Sequence, residues 1–321
     1  MAEAADRLRA GLLVAFPTET VYGLGGNALD SDAVARIFAA KGRPPSNPLI
    51  VHVADVGAAR ALAAEWPAAA ETLANAFWPG PLTLVVRKTD DVRADVTAGG
   101  LTVGLRVPAH PVALELLRLG GVPIAAPSAN RSEEISPTTA GHVADSLGPW
   151  VDDLLILDGG PTRIGIESTV VDVTGVFSIL RPGMLDHARL AAALGPLGAN
   201  AFGNAKTAGS ARSPGQRARH YAPRTPTVLI PGDRIARELA PTDGLLTRGK
   251  PEPSWHARVT IELPRDADGY AARLYAALRY MDIGRVTRIV VQALPEGPEW
   301  AAIRDRLSRA SAVPGGERQN A

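Results

Sequence analysis

The alternation of two patterns limits the fold of this chain more than any other feature. Through residue 190, short runs of β-branched and aliphatic residues recur between segments whose apolar positions fall three and four apart. The runs predict strands at 13–16, 49–53, 82–87, 102–107, 123–126, 154–157, 168–173 and 177–180. The intervening periodicity predicts helices at 31–40, 67–77, 111–119, 137–147 and 187–194. In the first of these, Val34, Ile37 and Phe38 share a face, and Asp30 or Ser31 can cap the start. Pro67, Pro111 and Pro137 each sit near a first turn. Strands mixed with helices and joined by short loops make a large α/β domain, with helices around a curved mixed sheet, the natural solution.

The pattern stops at Gly195. Residues 195–226 hold Gly, Pro, Ser, Asn and Ala without periodicity. From Lys206 to Arg224 there are five Lys or Arg and no acid, so this stretch is expected to be a basic linker or lid. Beyond it, strands at 227–230, 258–262 and 288–291 and helices at 235–240, 267–281 and 298–310 predict a smaller α/β domain of Rossmann-like type. The expected division is therefore 1–194, 195–226 and 227–321, with 313–321 frayed.

Composition then removes several function classes. Lys and Arg number 34 against 33 Asp and Glu, so there is no overall basic field to drive non-specific nucleic-acid binding, and any anion site must be local. The absence of Cys excludes disulfides, thiolate nucleophiles and iron–sulfur clusters, which fits a reducing compartment. The first residues carry both acids and arginine, and the apolar run at 12–16 is too short for a signal segment or a membrane span; a cytoplasmic protein without membrane association is expected. There is no G-x-x-x-x-G-K-[ST] phosphate loop, no G-x-S-x-G elbow, and no two of the 6 His lie three or four apart. Gly23-Leu24-Gly25-Gly26-Asn27-Ala28 matches G-x-G-x-x-A. The next helix begins only near Ser31, however, and the acid that a dinucleotide fold places about twenty positions on is missing.

A set of polar turns at strand ends remains. Residues 17–25, PTETVYGLG, hold two hydroxyls, a carboxylate and a phenol in a turn that ends in glycines, either a capped polar loop or part of a site. Lys41-Gly42-Arg43-Pro44-Pro45-Ser46-Asn47-Pro48 describes a stiff electropositive loop. Arg can grip phosphate oxygens through two parallel hydrogen bonds, and Lys adds a compact charge. The plainer reading gives Lys41 to the helix dipole and Gly42 to its cap. His52 faces opposite to Val51 and Val53, which by itself marks a structural residue. Arg106 lies in an otherwise apolar strand and must reach solvent or bind an anion. Ala126 to Ser132 follows another apolar strand, and Ser136-Pro137-Thr138 is expected to begin a helix, where hydroxyls either cap or cradle an anion. Ser168 and Arg181 repeat the theme at later strand ends. Lys41, Arg43, Arg106 and Arg181, with Thr20, Ser128, Ser136 and Ser168, can converge into one cavity. With no acid–base pair or nucleophile evident, the chemistry expected there is anion positioning and charge stabilisation, as in phosphoryl or nucleotidyl transfer.

In this order, PTETVYGLG, KGRPPSNPLIVHV, the SAN of Ser128 to Asn130 with SPT eight residues on, GIESTVVD and LRPG resemble the YrdC family. The added SPGQRARHYAP of Ser213 to Pro223, followed by a small α/β domain, resembles the family's two-domain members, so the likeness spans essentially the whole chain. The resemblance implies a YrdC-like catalytic domain and a nucleotidyltransferase reaction. L-threonine, bicarbonate and ATP would give threonylcarbamoyl-AMP and pyrophosphate, for threonylcarbamoyladenosine synthesis on tRNA. It implies threonine ligands at Thr20, His52, Arg106, the backbone at Ala126, and Ser168. For ATP it implies Arg43, Asn47, Thr102, Ser128, Ser136, Arg181 and Tyr221. Lys41 and Asn130 complete the K-x-R and S-x-N signature and, with Arg43 and Ser128, are the expected catalytic set. Mg2+ is expected with ATP, with its protein ligands unassigned and no organic cofactor. Downstream tRNA threonylcarbamoyltransferase proteins are the implied partners; the resemblance does not decide whether tRNA itself touches the chain. Glu133, beside Glu134, stands where the family commonly has Gly, and both carboxylates are expected to face solvent. Two rivals remain: a double-stranded RNA or tRNA-binding module without turnover, and a carbamoyltransferase, whose usual Cys-rich modules this chain lacks.

Overall fold

A computed structural model describes residues 1–197, 220–284 and 286–312. The chain divides into two compact units. The first comprises Met1–Ser132, Pro137–Arg163 and Glu167–Gln216; the second comprises Glu133–Ser136, Ile164–Ile166 and Arg217–Ala321.

In the first unit the elements run α1 (Ala2–Arg9), β1 (Val14–Phe16), β2 (Gly23–Asn27), α2 (Ser31–Lys41), β3 (Ile50–His52), α3 (Val56–Ala61), α4 (Ala68–Phe77), β4 (Leu82–Arg87) and β5 (Thr102–Arg106). They continue with α5 (Pro111–Gly120), β6 (Ile124–Ala125), α6 (Ala140–Leu147), β7 (Leu155–Ile156), β8 (Thr169–Asp172), β9 (Ser178–Arg181) and α7 (His187–Leu194). The strands form one mixed sheet in the order β7-β1-β2-β6-β3-β5-β4-β8-β9. Every strand expected in this part of the sequence is present.

Strand alternation gives the sheet two unlike faces. One buries Ala15, Leu24, Val51, Leu84, Leu105, Ala125 and Val171 in the main core, together with Val34 and Ile37 of α2, Leu73 of α4 and Leu190 of α7. On the other, Phe16 and Ile124 pack with Leu8 of α1 and Leu116 of α5, and Ile50, Val85 and Val170 form a small separate patch. Polar residues occupy the rest of that second face.

Sequence and structure differ in several places. The glycine run at 23–27 is a strand, β2, paired with β1 and β6. A Cβ on Gly25 would lie 2.7 Å from the Phe16 ring and 2.8 Å from Ile124, so glycine is required by close approach and the nucleotide-loop match is accidental. The helix expected from 137 begins at Ala140, with Thr139 as its cap. The Pro137 and Thr138 carbonyls accept from Tyr22 N and Thr162 N (2.9 Å each), so they are not free to start a helix. α1 and α3 were not anticipated; α3 is a single short turn-rich segment capped by Asp55. Finally, the helix expected at 235–240 spans Gly232–Glu238, because Pro241 disfavours helical geometry at Ala240.

The second unit contains β10 (Thr227–Ile230), α8 (Gly232–Glu238), β11 (Gly244–Arg248), β12 (Val259–Leu263), α9 (Ala267–Asp282), β13 (Ile289–Gln292) and α10 (Ala301–Ala310). Its four strands, ordered β10-β13-β11-β12, are all parallel; α8 connects β10 to β11, α9 connects β12 to β13, and the link from β11 to β12 is a non-helical loop. β11 escaped the sequence reading because Leu245 and Leu246 are its only large apolar residues. Among the described residues, no helix is long and apolar enough to cross a membrane.

Candidate functional site

Of the residues singled out from the sequence, the second face of the large sheet carries His52, Thr102, Arg106, Ser168 and Arg181. β3 and β5 run parallel with His52 opposite Arg106, and β6 places Ile124 on the other side of His52. Two-residue alternation then sets Thr102, Gly104 and Arg106 on the same face, along with Thr83 of β4. Gly104 keeps this surface low: a Cβ there would come within 3.2 Å of Thr83 Cγ2.

Arg106 is 4% exposed and neither reaches solvent nor stands alone. Its guanidinium donates to Glu19 Oε1 at 2.7 Å and to the Gly80 carbonyl at 3.2 Å, while Glu19 Oε2 accepts from Ala109 N at 3.0 Å. The choice between solvent and an anionic ligand was therefore incomplete; a buried carboxylate from residue 19 is a third answer. Its neighbour His52 meets the Phe16 ring edge-on at 6.1 Å. His52 Nδ1 is buried without a hydrogen-bond partner. Burial, then the Arg106 charge, lowers the His52 pKa to about 3, so the imidazole is neutral.

A second cluster lies one strand further along. Ser168, fully buried immediately before β8, shares a hydrogen bond with Thr83 Oγ1 at 2.8 Å and accepts from Arg181 at 3.0 Å. Arg181 also donates to the Ser168 carbonyl at 3.1 Å. Gly183 permits this arrangement, since a Cβ there would stand 2.3 Å from Thr169 N. The sequence did not reveal Thr83, which looks like an ordinary β-strand residue. Nor did it assign Glu19 to the site, although a charged residue between two threonines was a signal.

The loops complete the constellation. Thr18 Oγ1 bonds Thr20 Oγ1 at 2.8 Å, donates to the Val21 carbonyl at 2.6 Å and accepts from Val21 N, fixing the 17–22 turn. Lys41 is buried at the end of α2, and its ammonium donates to the carbonyls of Ser128 (2.5 Å) and Asn130. Gly42 caps α2 in the left-handed conformation. The cap reading of Gly42 thus holds, and Lys41 also ties the Ser128–Asn130 turn to the helix. Arg43 donates to the carbonyls of Asn47 (3.0 Å) and Pro48 (2.7 Å), closing the proline-stiffened loop on itself. Ala126 donates to the Ile50 carbonyl at 3.0 Å, and Ser128 bridges Gly23 beyond it.

Thr20, Lys41, Arg43, Asn47, His52, Thr102, Arg106, Ala126, Ser128, Asn130, Ser168 and Arg181 all belong to the first unit, whereas Ser136 and Tyr221 belong to the second. Ser136 is not a helix cap; its carbonyl accepts from Arg279. Tyr221, at a φ of 59°, stacks on Tyr275 at 5.9 Å, with the Arg306 guanidinium 5.0 Å from its ring centre. Glu133 also has a positive φ, 70°, and Glu134 pairs with Arg224 at 3.1 Å. Both acids are part-buried, which corrects the expectation that they simply face solvent. The rest of the expected lid, residues 198–219, lies outside the described residues.

Comparison with known proteins bears on this geometry. The Sua5/YciO/YrdC family model, described as "Telomere recombination", matches residues 6–183, over half of the chain. The chain belongs to the Sua5/YciO/YrdC family. A second family model, described as the C-terminal domain of threonylcarbamoyl-AMP synthase, matches residues 185–312. Threonylcarbamoyl-AMP synthase of Pyrococcus abyssi is 43% identical over 320 residues, covering 96% of this chain and 93% of the relative. The Bacillus subtilis protein of that name is 42% identical over 323 residues, covering 97% and 92%. Among solved structures, P. abyssi Sua5 complexed with L-threonine superposes with a TM-score of 0.87 at 42% identity, covering 97% of this chain and 93% of that one.

Proposed function

We propose that this chain makes threonylcarbamoyl-AMP and pyrophosphate from L-threonine, bicarbonate and ATP. One observation carries the reading: His52, Arg106, Ser168 and Arg181 share one face of a sheet in a family whose P. abyssi member was solved with L-threonine. Arg106 would take the amino acid's carboxylate, with Thr20, Ser168, the Ala126 backbone and the neutral imidazole of His52 around its polar atoms. The threonine amine would combine with bicarbonate to give a carbamate and water. A carbamate oxygen would then bond to the α-phosphorus of ATP as the bond to the departing pyrophosphate breaks.

The nucleotide would lie toward Arg43, Asn47, Thr102, Ser128 and Arg181 of the first unit. Lys41 acts chiefly by holding the turn that carries Ser128 and Asn130, so that those groups are in place before ATP arrives. Mg2+ would enter on the phosphates, where it offsets their charge. The chain's own side chains would orient the nucleotide's phosphates. Conversion of the product on tRNA would fall to downstream transferase proteins, in the cytoplasm where ATP and tRNA meet.

Pyrophosphate release that requires ATP, L-threonine and bicarbonate together tests the proposal, with product identified by mass spectrometry. Release independent of threonine, or salt-sensitive RNA binding with no turnover, would refute it.

A further inference from the structure

We propose that Glu19 is a positioning residue for the amino-acid substrate: it clamps the Arg106 guanidinium so that its remaining N–H groups meet the substrate carboxylate. This rests on the threonine reading above and assigns a role to a buried acid that the reaction itself does not use.

The pair is shut away from water, with Glu19 2% and Arg106 4% exposed. Buried ion pairs are weak devices for stability, because desolvation of both charges offsets most of their attraction. A well-packed apolar pair of similar volume could replace them on a face already lined by Phe16, Ile124 and Ile50. The geometry instead serves orientation. Glu19 Oε1 takes one N–H of the guanidinium and Oε2 takes Ala109 N, so the carboxylate is fixed from two sides. The Gly80 carbonyl takes Nε, which leaves the guanidinium no freedom to rotate about its long axis. Glu19 sits in a turn locked by Thr18 and is adjacent to Thr20. One rigid turn therefore supplies both a hydroxyl of the threonine site and the group that aims its arginine. With the Arg106 charge already balanced, an incoming carboxylate meets oriented donors rather than a bare cation. That favours a small amino acid of fixed geometry over anions at large.

The test compares the full chain with Glu19→Gln and Glu19→Ala by steady-state pyrophosphate release, titrating L-threonine and ATP separately. Glu19→Gln should raise the KM for threonine about tenfold, and Glu19→Ala more, with the KM for ATP unchanged within about twofold. In an Arg106→Ala background, Glu19→Gln should add no further loss, because the residue it orients is gone. A pair that merely supports the fold would reduce active protein and leave both KM values alone. Unchanged threonine KM in Glu19→Gln, equal shifts for both substrates, or additive losses in the double variant would each overturn the proposal. Should Glu19→Ala fail to fold, Glu19→Gln and its threonine-dependent rise in melting temperature decide the matter. If wild-type turnover requires threonine and Glu19→Gln keeps its KM, only this inference falls. If wild type does not use threonine, the functional reading falls with it.

Discussion

His52 makes stability depend on pH in a calculable way. The imidazole is held neutral with a folded pKa of about 3, against 6.5 for an unperturbed histidine, because it is buried and lies beside Arg106. Below pH 6.5 the unfolded chain takes up a proton that the folded chain refuses. The stabilising contribution is thus complete above 6.5 and drains away as the pH falls toward 3. The loss is about 1.4 kcal/mol per pH unit, or about 2 kcal/mol between pH 7.5 and 5.0. Urea unfolding of wild type and His52→Gln at both pH values isolates this group, since the carboxylates shared by both proteins cancel in the double difference. Tryptophan fluorescence follows the first unit through Trp66 and Trp78, which pack together there. Wild type should lose about 2 kcal/mol more than the variant over this range. Parallel losses would mean that His52 is protonated as easily folded as unfolded, and that the sealed environment derived for it is wrong.

Three further outcomes follow from particular residues. Glu133→Gly should stabilise the protein by about 0.5–1 kcal/mol, because the backbone at 133 has a φ of 70° that only glycine adopts without a Cβ penalty; a lower melting temperature would contradict this. Gly183→Ala should destabilise by about 1–3 kcal/mol, since the new methyl would press on the backbone of Ser168 and Thr169, and the threonine KM should rise with it; a neutral effect would remove the packing argument. Lys41→Met should lower turnover about 10²-fold with a smaller effect on the KM for threonine, as the turn from Ser128 to Asn130 loses its anchor; wild-type turnover would dismiss the anchoring role.

Much of this architecture was legible from local pattern, and the parts that were not share a cause. The strand ending at His52 and the one ending at Arg106 could be read from apolar runs, and alternation put each polar residue opposite its apolar neighbours. The pairing of these two strands could not be read, because register is decided by the whole sheet. Glu19 and Arg106 are 87 positions apart, and no local rule joins them. β2 was hidden for a different reason: glycine has poor strand propensity, and its place between β1 and β6 is set by Phe16 and Ile124 lying against it. Lys41 illustrates the ambiguity of a cation at a helix end. Dipole, phosphate and carbonyl partners all attract it, and only the fold brings the Ser128 carbonyl to its ammonium.

Glu133–Ser136 and Ile164–Ile166 belong to the second unit although most of the chain around them belongs to the first. Position along the chain and membership of a unit therefore part company here, and a boundary drawn by residue number alone would misplace these two short segments. Cutting after residue 194 would discard Arg279, the donor to the carbonyls of Ile135 and Ser136, and would hand those groups back to water. A shortened version is in this sense a new molecule, whose behaviour cannot be borrowed from the intact one.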